Sequence, residues 1–214
     1  MEQKKLTKRK LLNVFGNLDD VGYATSLVRD YAREDIKAGK MRIKEWDYYY
    51  IGNNFYGVAL TIADNSYMGM GSVSILDFRD GFWKTKSQIT LFPMGKTNLP
   101  PTSAIGDCHF KKGNMEISFF NDGTKRRLLA KVKNYLSGQD FNCDITLSEE
   151  PKDSMVIATP FFKKKHFYYN QKINCLKADG QASLGDKVYN FKTDDSFGTL
   201  DWGRGVWTYK NTWY

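Results

Sequence analysis

The chain has 214 residues, a formal net charge of +8 and an aromatic content of 15%. That length can bury a full core without disulfide or metal staples. No window reaches the apolar length of a membrane helix; the charged opening "MEQKKLTKRKLLNVFG" lacks the apolar centre of a secretory signal.

The three cysteines, Cys108, Cys143 and Cys175, are widely spaced and form no CxxC pair. That pattern gives no basis for a zinc or dithiol site. It reads as free thiols in a reducing compartment, which places the protein in the cytoplasm. Basic residues crowd the N-terminal stretch and recur at Lys163, Lys164 and Lys165. Such charge attracts nucleic acid, anionic lipid or acidic partners. No basic helix, zinc-finger spacing or RNA-binding aromatic motif accompanies it, so a solvated surface is expected and no nucleic-acid partner.

In chain order, residues 1–40 read as an N-terminal extension, partly helical. "NLDDVGYATS" is turn-rich, and "SLVRDYAREDIKAGK" offers Ser26 as an N-cap and Gly39 as a stop. From residue 41 to 214 the texture is β. "MRIKEWDYYYI", "FYGVALTIAD", "YMGMGSVSILDF" and "FWKTKSQITLF" follow one another, divided by short turns of which Asp80-Gly81 is the clearest hairpin signal. "FPMGKTNLPPTSAIGD" holds three of the five prolines and reads as a long connection, the kind that serves as a binding loop or lid. Strands then resume through "MEISFFND", "KRRLLAKVKNY", "FNCDITLSE", "SMVIATPF", "HFYYNQKINCLKAD" and "KVYNFK". Many short, evenly spaced strands predict an all-β fold: an antiparallel barrel or strongly curved sheet able to hold a ligand inside.

Nucleotide loops, nucleophile elbows and HExxH motifs are missing. Two histidines, His109 and His166, do not make a multi-histidine metal site. No cofactor and no metal are expected. What remains is the company that acids keep with rings. In "KEWDYYY", alternation puts Glu45, Asp47 and Tyr49 on one strand face and Trp46, Tyr48 and Tyr50 on the other. The ring face suits either core packing or ligand lining. "KKKHFYYN" sets His166 beside Tyr168 on one face, with Phe167 and Tyr169 on the other; a His near a Tyr can relay protons, or rest on a backbone carbonyl. In "LDWGRG", Asp201 adjoins Trp202, and an acid against an indole can stay protonated and donate. Arg204 in the same motif could instead neutralise it and make the turn structural.

The motifs "IKEWDYYYI", "YGVALTIADNSYMG", "VSILDF", "FPMGK", "DSMVIATPF", "HFYYNQKINC" and "SFGTLDWGRGVWTYKNTWY" resemble the family catalogued as domain of unknown function 2804, over nearly the whole chain. Its members are longer, so the resemblance implies a further C-terminal portion past the closing aromatic stretch. More distantly, the paired tyrosines, Gly180 as a turn, and "GTLDWG" before a Trp-rich strand are similar to the carotenoid 1,2-hydratase and AttH-like group of double-lipocalin proteins. That likeness implies a lipocalin-like barrel. It makes Asp201 the candidate acid for protonating a carbon–carbon double bond, with Tyr168, Tyr169 and Trp202 steadying positive charge. The hydratase motif carries a histidine beside its acid; here Asp201 runs straight into Trp202-Gly203.

The expected function is binding of an apolar or amphiphilic small molecule in an aromatic-lined cavity, with self-association into a homodimer left open. The alternative is a hydratase or cyclase. Candidate catalytic residues are Asp201, His166 and Tyr169; candidate ligand-binding residues are Trp46, Tyr48, Tyr50, Tyr168, Trp202, Arg204 and Trp207. A carbohydrate-binding or glycoside-cleaving role, resting on Glu45, Asp47 and Asp201, ranks third.

Overall fold

The computed structural model describes residues 4–211; Trp213 and Tyr214 of the terminal aromatic stretch lie outside the described residues. The strands are β1 (Arg9–Lys10), β2 (Gly22–Ala24), β3 (Arg29–Asp30), β4 (Ile43–Gly52), β5 (Tyr56–Asp64), β6 (Met68–Asp77), β7 (Phe82–Leu91), β8 (Cys108–Lys112), β9 (Met115–Asn121), β10 (Arg126–Leu136), β11 (Gln139–Ser148), β12 (Met155–Pro160), β13 (Phe167–Leu184), β14 (Lys187–Phe191) and β15 (Phe197–Val206). Apart from β1 and β3, which pair in parallel with each other, the strands form one sheet whose main path runs β7-β6-β5-β4-β15-β13-β11-β10-β9-β8.

That path curls until its ends meet. The Tyr135 hydroxyl of β10 donates to the carbonyls of Val73 (3.1 Å) and Lys84 (2.5 Å) on β6 and β7. Tyr49 of β4 meets Phe119 of β9 edge to face, with ring centroids 4.8 Å apart. Gly71 of β6 leaves room for the Phe110 ring of β8. The result is a nearly closed antiparallel barrel, in which the twist of each strand is spent on closure and few edges stay open.

Alternation fills the interior. Val58, Leu60 and Ile62 of β5, Val73 and Ile75 of β6, and Ile145 and Leu147 of β11 are all fully buried. The Asp80-Gly81 hairpin forms as expected: Gly81 takes φ +70 and Asp80 Oδ1 accepts the Phe82 N–H at 3.1 Å. Two expectations change. Residues 26–39 build β3 and a three-residue 3-10 turn (Arg33–Asp35) in place of an α-helix. Their apolar residues are too sparse for a helical stripe, and instead Tyr31 and Ile36 sink singly into the barrel core. Leu6, Leu11 and Leu12 join the same core, so the opening segment packs as part of the β body.

Gly180, read as a turn, lies inside β13. This 18-residue strand serves two neighbourhoods: its first half is flanked by β12 and β15, its second by β11 and β14. A register shift between Ile173 and Leu176, with Cys175 at φ +63, marks the bend between them. Gly180 is needed because a Cβ there would stand 2.2 Å from the Asp144 carbonyl oxygen.

Gly205 on β15 is under the same constraint: an added Cβ would lie 2.3 Å from the Phe167 carbonyl oxygen, a backbone atom fixed by the sheet. Gly205→Ala is expected to cost about 1–3 kcal/mol of stability, whereas Gly39→Ala, with nothing within 4 Å of the new methyl, should be neutral. Urea unfolding of the two variants checks this; equal stabilities would contradict the close approach.

Candidate functional site

The sequence candidates gather on the central strands β13, β15 and β4, but on opposite faces. Ile43, Glu45, Asp47, Tyr49 and Ile51 of β4 point inward and are buried. Trp46, Tyr48 and Tyr50 therefore face outward and are partly exposed. On β15 the inward residues are Leu200, Trp202, Arg204 and Val206, so Asp201, Gly203 and Gly205 form the outer side. The ring-walled hollow with an inward Asp201 is not the arrangement these strands adopt. The rings of Trp46, Tyr48 and Tyr50 look out, and the inner face carries acids that have found buried cations.

The inner group centres on Arg204, whose side chain is fully buried. Its Nη2 lies 2.9 Å from Asp47 Oδ1 and donates to the Pro100 carbonyl at 2.7 Å. Its Nη1 donates to the carbonyls of Trp46 (2.8 Å) and Gly203 (2.9 Å). The guanidinium also stacks over Trp202, 4.4 Å from its ring centre. Trp202 in turn meets Tyr169 and Tyr31 edge to face. Tyr169 is engaged by backbone: its hydroxyl donates to the Arg29 carbonyl (3.2 Å) and accepts the Arg29 N–H (3.3 Å), and burial pushes the phenol up to about 12. The Tyr31 hydroxyl donates to Glu45 Oε1 at 2.6 Å, and Arg33 pairs with the same carboxylate. Burial raises the Cys108 thiol well above its usual range; the sulfur lies 4.0 Å from Asp47 Oδ2.

A strap over residues 92–107 closes this end of the barrel. Buried Asp64 accepts the Gly95 N–H (2.8 Å) and the Thr97 hydroxyl (3.0 Å). Ser103 donates to Gln171, and its carbonyl accepts from Asn121 (2.8 Å) and Arg126 (2.9 Å). The Pro-rich connection is thus laced down by side chains of the inner face.

The outer group is a shelf of rings over bare backbone. A Cβ on Gly203 would stand 2.3 Å from the Trp46 indole, so the glycine is what lets that ring lie across β15. Trp46 stacks on Tyr168, with centroids 5.4 Å apart and planes 28° apart; Trp207 meets Trp46 at 5.7 Å and Tyr168 at 5.1 Å. Asp201 sits at the rim, paired with Lys172 and accepting the Trp46 Nε1–H at 3.4 Å. Strand register continues the platform across Tyr48, Thr61 and Ser72, and a groove of about 180 Å³ opens between Tyr50, Ser74 and exposed Trp83. Burial raises the phenols of Tyr48, Tyr50 and Tyr168.

His166 belongs to neither group. It is buried in the 161–166 turn, where its Nδ1–H donates to the Lys164 carbonyl at 2.9 Å. Sequence reasoning passed over Asp47 as the inner acid and Lys172 as the partner of Asp201. Parity offered the first: Ile43 and Ile51 share a face with Asp47, and an apolar pair in phase with an acid marks the inward side. Lys172 comes beside Asp201 through the β13–β15 register, which no local pattern specifies. No group of three or more His, Cys, Asp or Glu side chains among the described residues could hold a metal ion.

Fold and site together define a lipocalin-like all-β protein with a filled interior that buries a few paired charges and with an aromatic outer shelf. Among solved structures, it is similar to a protein from Nitrosomonas europaea provisionally described as AttH, with a TM-score of 0.51 and 11% identity over 84% of this chain. The chain spans 57% of that neighbour's length. It belongs to the DUF2804 family, a domain of unknown function, which it matches over residues 2–214. No curated protein matches it.

Asp47 carries a measurable consequence. Burial lifts its carboxyl above the ordinary carboxylate range, and Arg204 opposes that lift only in part. The folded state therefore keeps the proton to higher pH than the unfolded chain. The group's contribution to stability is fully present below the ordinary value and is lost as pH rises through the raised one. The stability of the wild type relative to Asp47→Asn should fall as pH rises from the ordinary carboxylate value through the raised one. Urea titrations across that window test it; a difference that rises with pH would contradict the assignment.

Proposed function

We propose that the protein binds an amphiphilic small molecule on its outer shelf, the apolar body against Trp46, Tyr168 and Trp207 and the polar end at Asp201 and Lys172. The observation that carries this reading is the ring cluster that starts over Gly203, where Trp46 lies across the strand and stacks on Tyr168 while both rings remain partly exposed. Partly exposed rings beside a charged pair match the two ends of an amphiphile. The interior supports the reading by contrast, since Trp202, Tyr169 and Arg204 are fully buried among their own neighbours.

A single-chain amphiphile titrated below its micelle concentration is expected to change the tryptophan emission of the protein. Trp46→Ala should weaken binding about tenfold or more, while Phe120→Ala, an exposed ring on β9, should leave it unaltered. Equal affinities for the wild type and Trp46→Ala would remove the shelf from consideration.

A second reading rests on Asp201 itself, an acid held against an indole at the edge of the rings. Here Asp201 acts on a carbon–carbon double bond as general acid, a step that needs Lys172 to yield its pairing and the carboxyl to take up a proton. Turnover of an isoprenoid alkene would then vanish in Asp201→Asn with the fold retained. Turnover that survives in that variant would exclude Asp201 from the chemistry.

A further inference from the structure

One end of the molecule carries apolar side chains on rigid tips, set among unpaired lysines. The 13–17 turn is pinned by the Asn13 side chain, whose Oδ1 accepts the N–H groups of Phe15 (3.0 Å) and Asn17 (3.2 Å). It leaves Val14 84% and Phe15 70% exposed. The 161–166 turn is pinned by the Phe161 N–H on the His166 carbonyl (3.0 Å) and by the buried His166 ring on Lys164. It leaves Phe162 wholly exposed. The Lys165 N–H donates to Asn17 Oδ1 at 2.9 Å, which holds the two turns side by side.

The charge around these tips is one-sided. Lys163, Lys164 and Lys165 are exposed and make no ion pair among the described residues. Lys37 packs against Gly16 of the first turn, and Lys210 shares a cleft with Phe162. Asp19 and Asp20, which follow the first turn, bind Lys4, Arg9 and Arg29, and Asp35, which shares a cleft with Val14, lies 3.8 Å from Lys10; of the acids up to Asp35, Asp30 and Glu34 stay exposed and outside any ion pair among the described residues.

We infer that this end seats on an anionic membrane surface, with Val14, Phe15 and Phe162 entering the headgroup–acyl boundary and Lys163–Lys165 meeting acidic headgroups. Charge complementarity selects the anionic surface, and the protruding apolar tips select a bilayer over a soluble polyanion, which would leave them in water. Two pinned turns need little ordering when they insert. None of the described helices is long and apolar enough to cross a membrane, and the inferred contact is a peripheral one made by the two turns. This inference uses residues outside the shelf and stands or falls independently of it.

The test is co-sedimentation of the full chain with phosphatidylcholine vesicles, with and without about one-third phosphatidylserine. Binding is expected only to the anionic vesicles, weakening as salt is raised. Phe15→Ser with Phe162→Ser should reduce partitioning at least about tenfold. Lys163→Gln, Lys164→Gln and Lys165→Gln together should reduce it further and flatten the salt dependence. All five positions are exposed, so unchanged melting temperatures are expected and confirm folding. Failure of the wild type to bind anionic vesicles at low salt would overturn the inference. So would binding that the serine variants leave intact while heparin competes for it, since a generic polyanion site would then suffice.

Discussion

The structure depends on a guanidinium with no access to water. Arg204 projects from β15 into the barrel and is fully buried, so its charge must be answered from within. Asp47 supplies the countercharge, three carbonyls accept its N–H groups, and Trp202 covers its face. The partners come from three parts of the molecule: Asp47 and Trp46 from β4, Pro100 from the strap, Trp202 and Gly203 from β15 itself. One side chain thereby fixes the register of two central strands and the seat of the loop that closes the end. Such a cluster adds little net stability over an apolar filling, but it penalises every alternative arrangement that strands the charge.

The same constraint decides where a ligand is most easily held. Reaching the interior would require the strap to lift, breaking the Arg204–Pro100, Ser103–Gln171 and Asp64–Gly95 contacts while leaving buried charges without their partners. An unpaired buried polar group costs on the order of 1–3 kcal/mol, and a charge more. The outer shelf asks for none of this. Its rings are already stacked, with Trp46 seated over Gly203, and its polar rim at Asp201 and Lys172 faces solvent in part. Preorganised and open, it loses less on binding than a site that must first be unlaced.

Much of this was legible in the sequence. The strands from "MRIKEWDYYYI" to "KVYNFK" appear where alternation and turn residues put them, because each has one face on the core and period two is a strong signal. β8 escaped notice, a five-residue strand emerging from the Pro-rich connection with little alternation to mark it. Gly180 was misread because a glycine in a strand signals either a turn or a close approach, and only the distance to Asp144 distinguishes them. Most candidate residues lie on β4, β13 and β15, on both faces of the sheet, with His166 and Trp207 just outside those strands. In "LDWGRGV", Leu200 and Val206 share parity with Trp202 and Arg204, and that parity separates the buried set from Asp201. Acid–ring adjacency along the chain overrode it, although neighbours in a strand point opposite ways.

The two outward features are joined through one residue. Trp207, which closes the shelf, lies 5.6 Å from the ring of Phe161, and Phe161 begins the turn that exposes Phe162 and the lysine run. One edge of the shelf thus lies beside the turn that carries one of the apolar tips. An amphiphile partitions into membranes and is scarce in water, so a protein that holds one gains from collecting it at the interface. A shelf remote from the bilayer would have to wait for a free molecule to desorb. One that begins at the turn proposed to seat on the membrane would accept it as it leaves the headgroup layer, with its apolar body passing from lipid to rings without full exposure to water. On the two proposals together, the adjacency of Phe161 and Trp207 would give such a transfer an aromatic path, which neither the shelf nor the tips would supply alone.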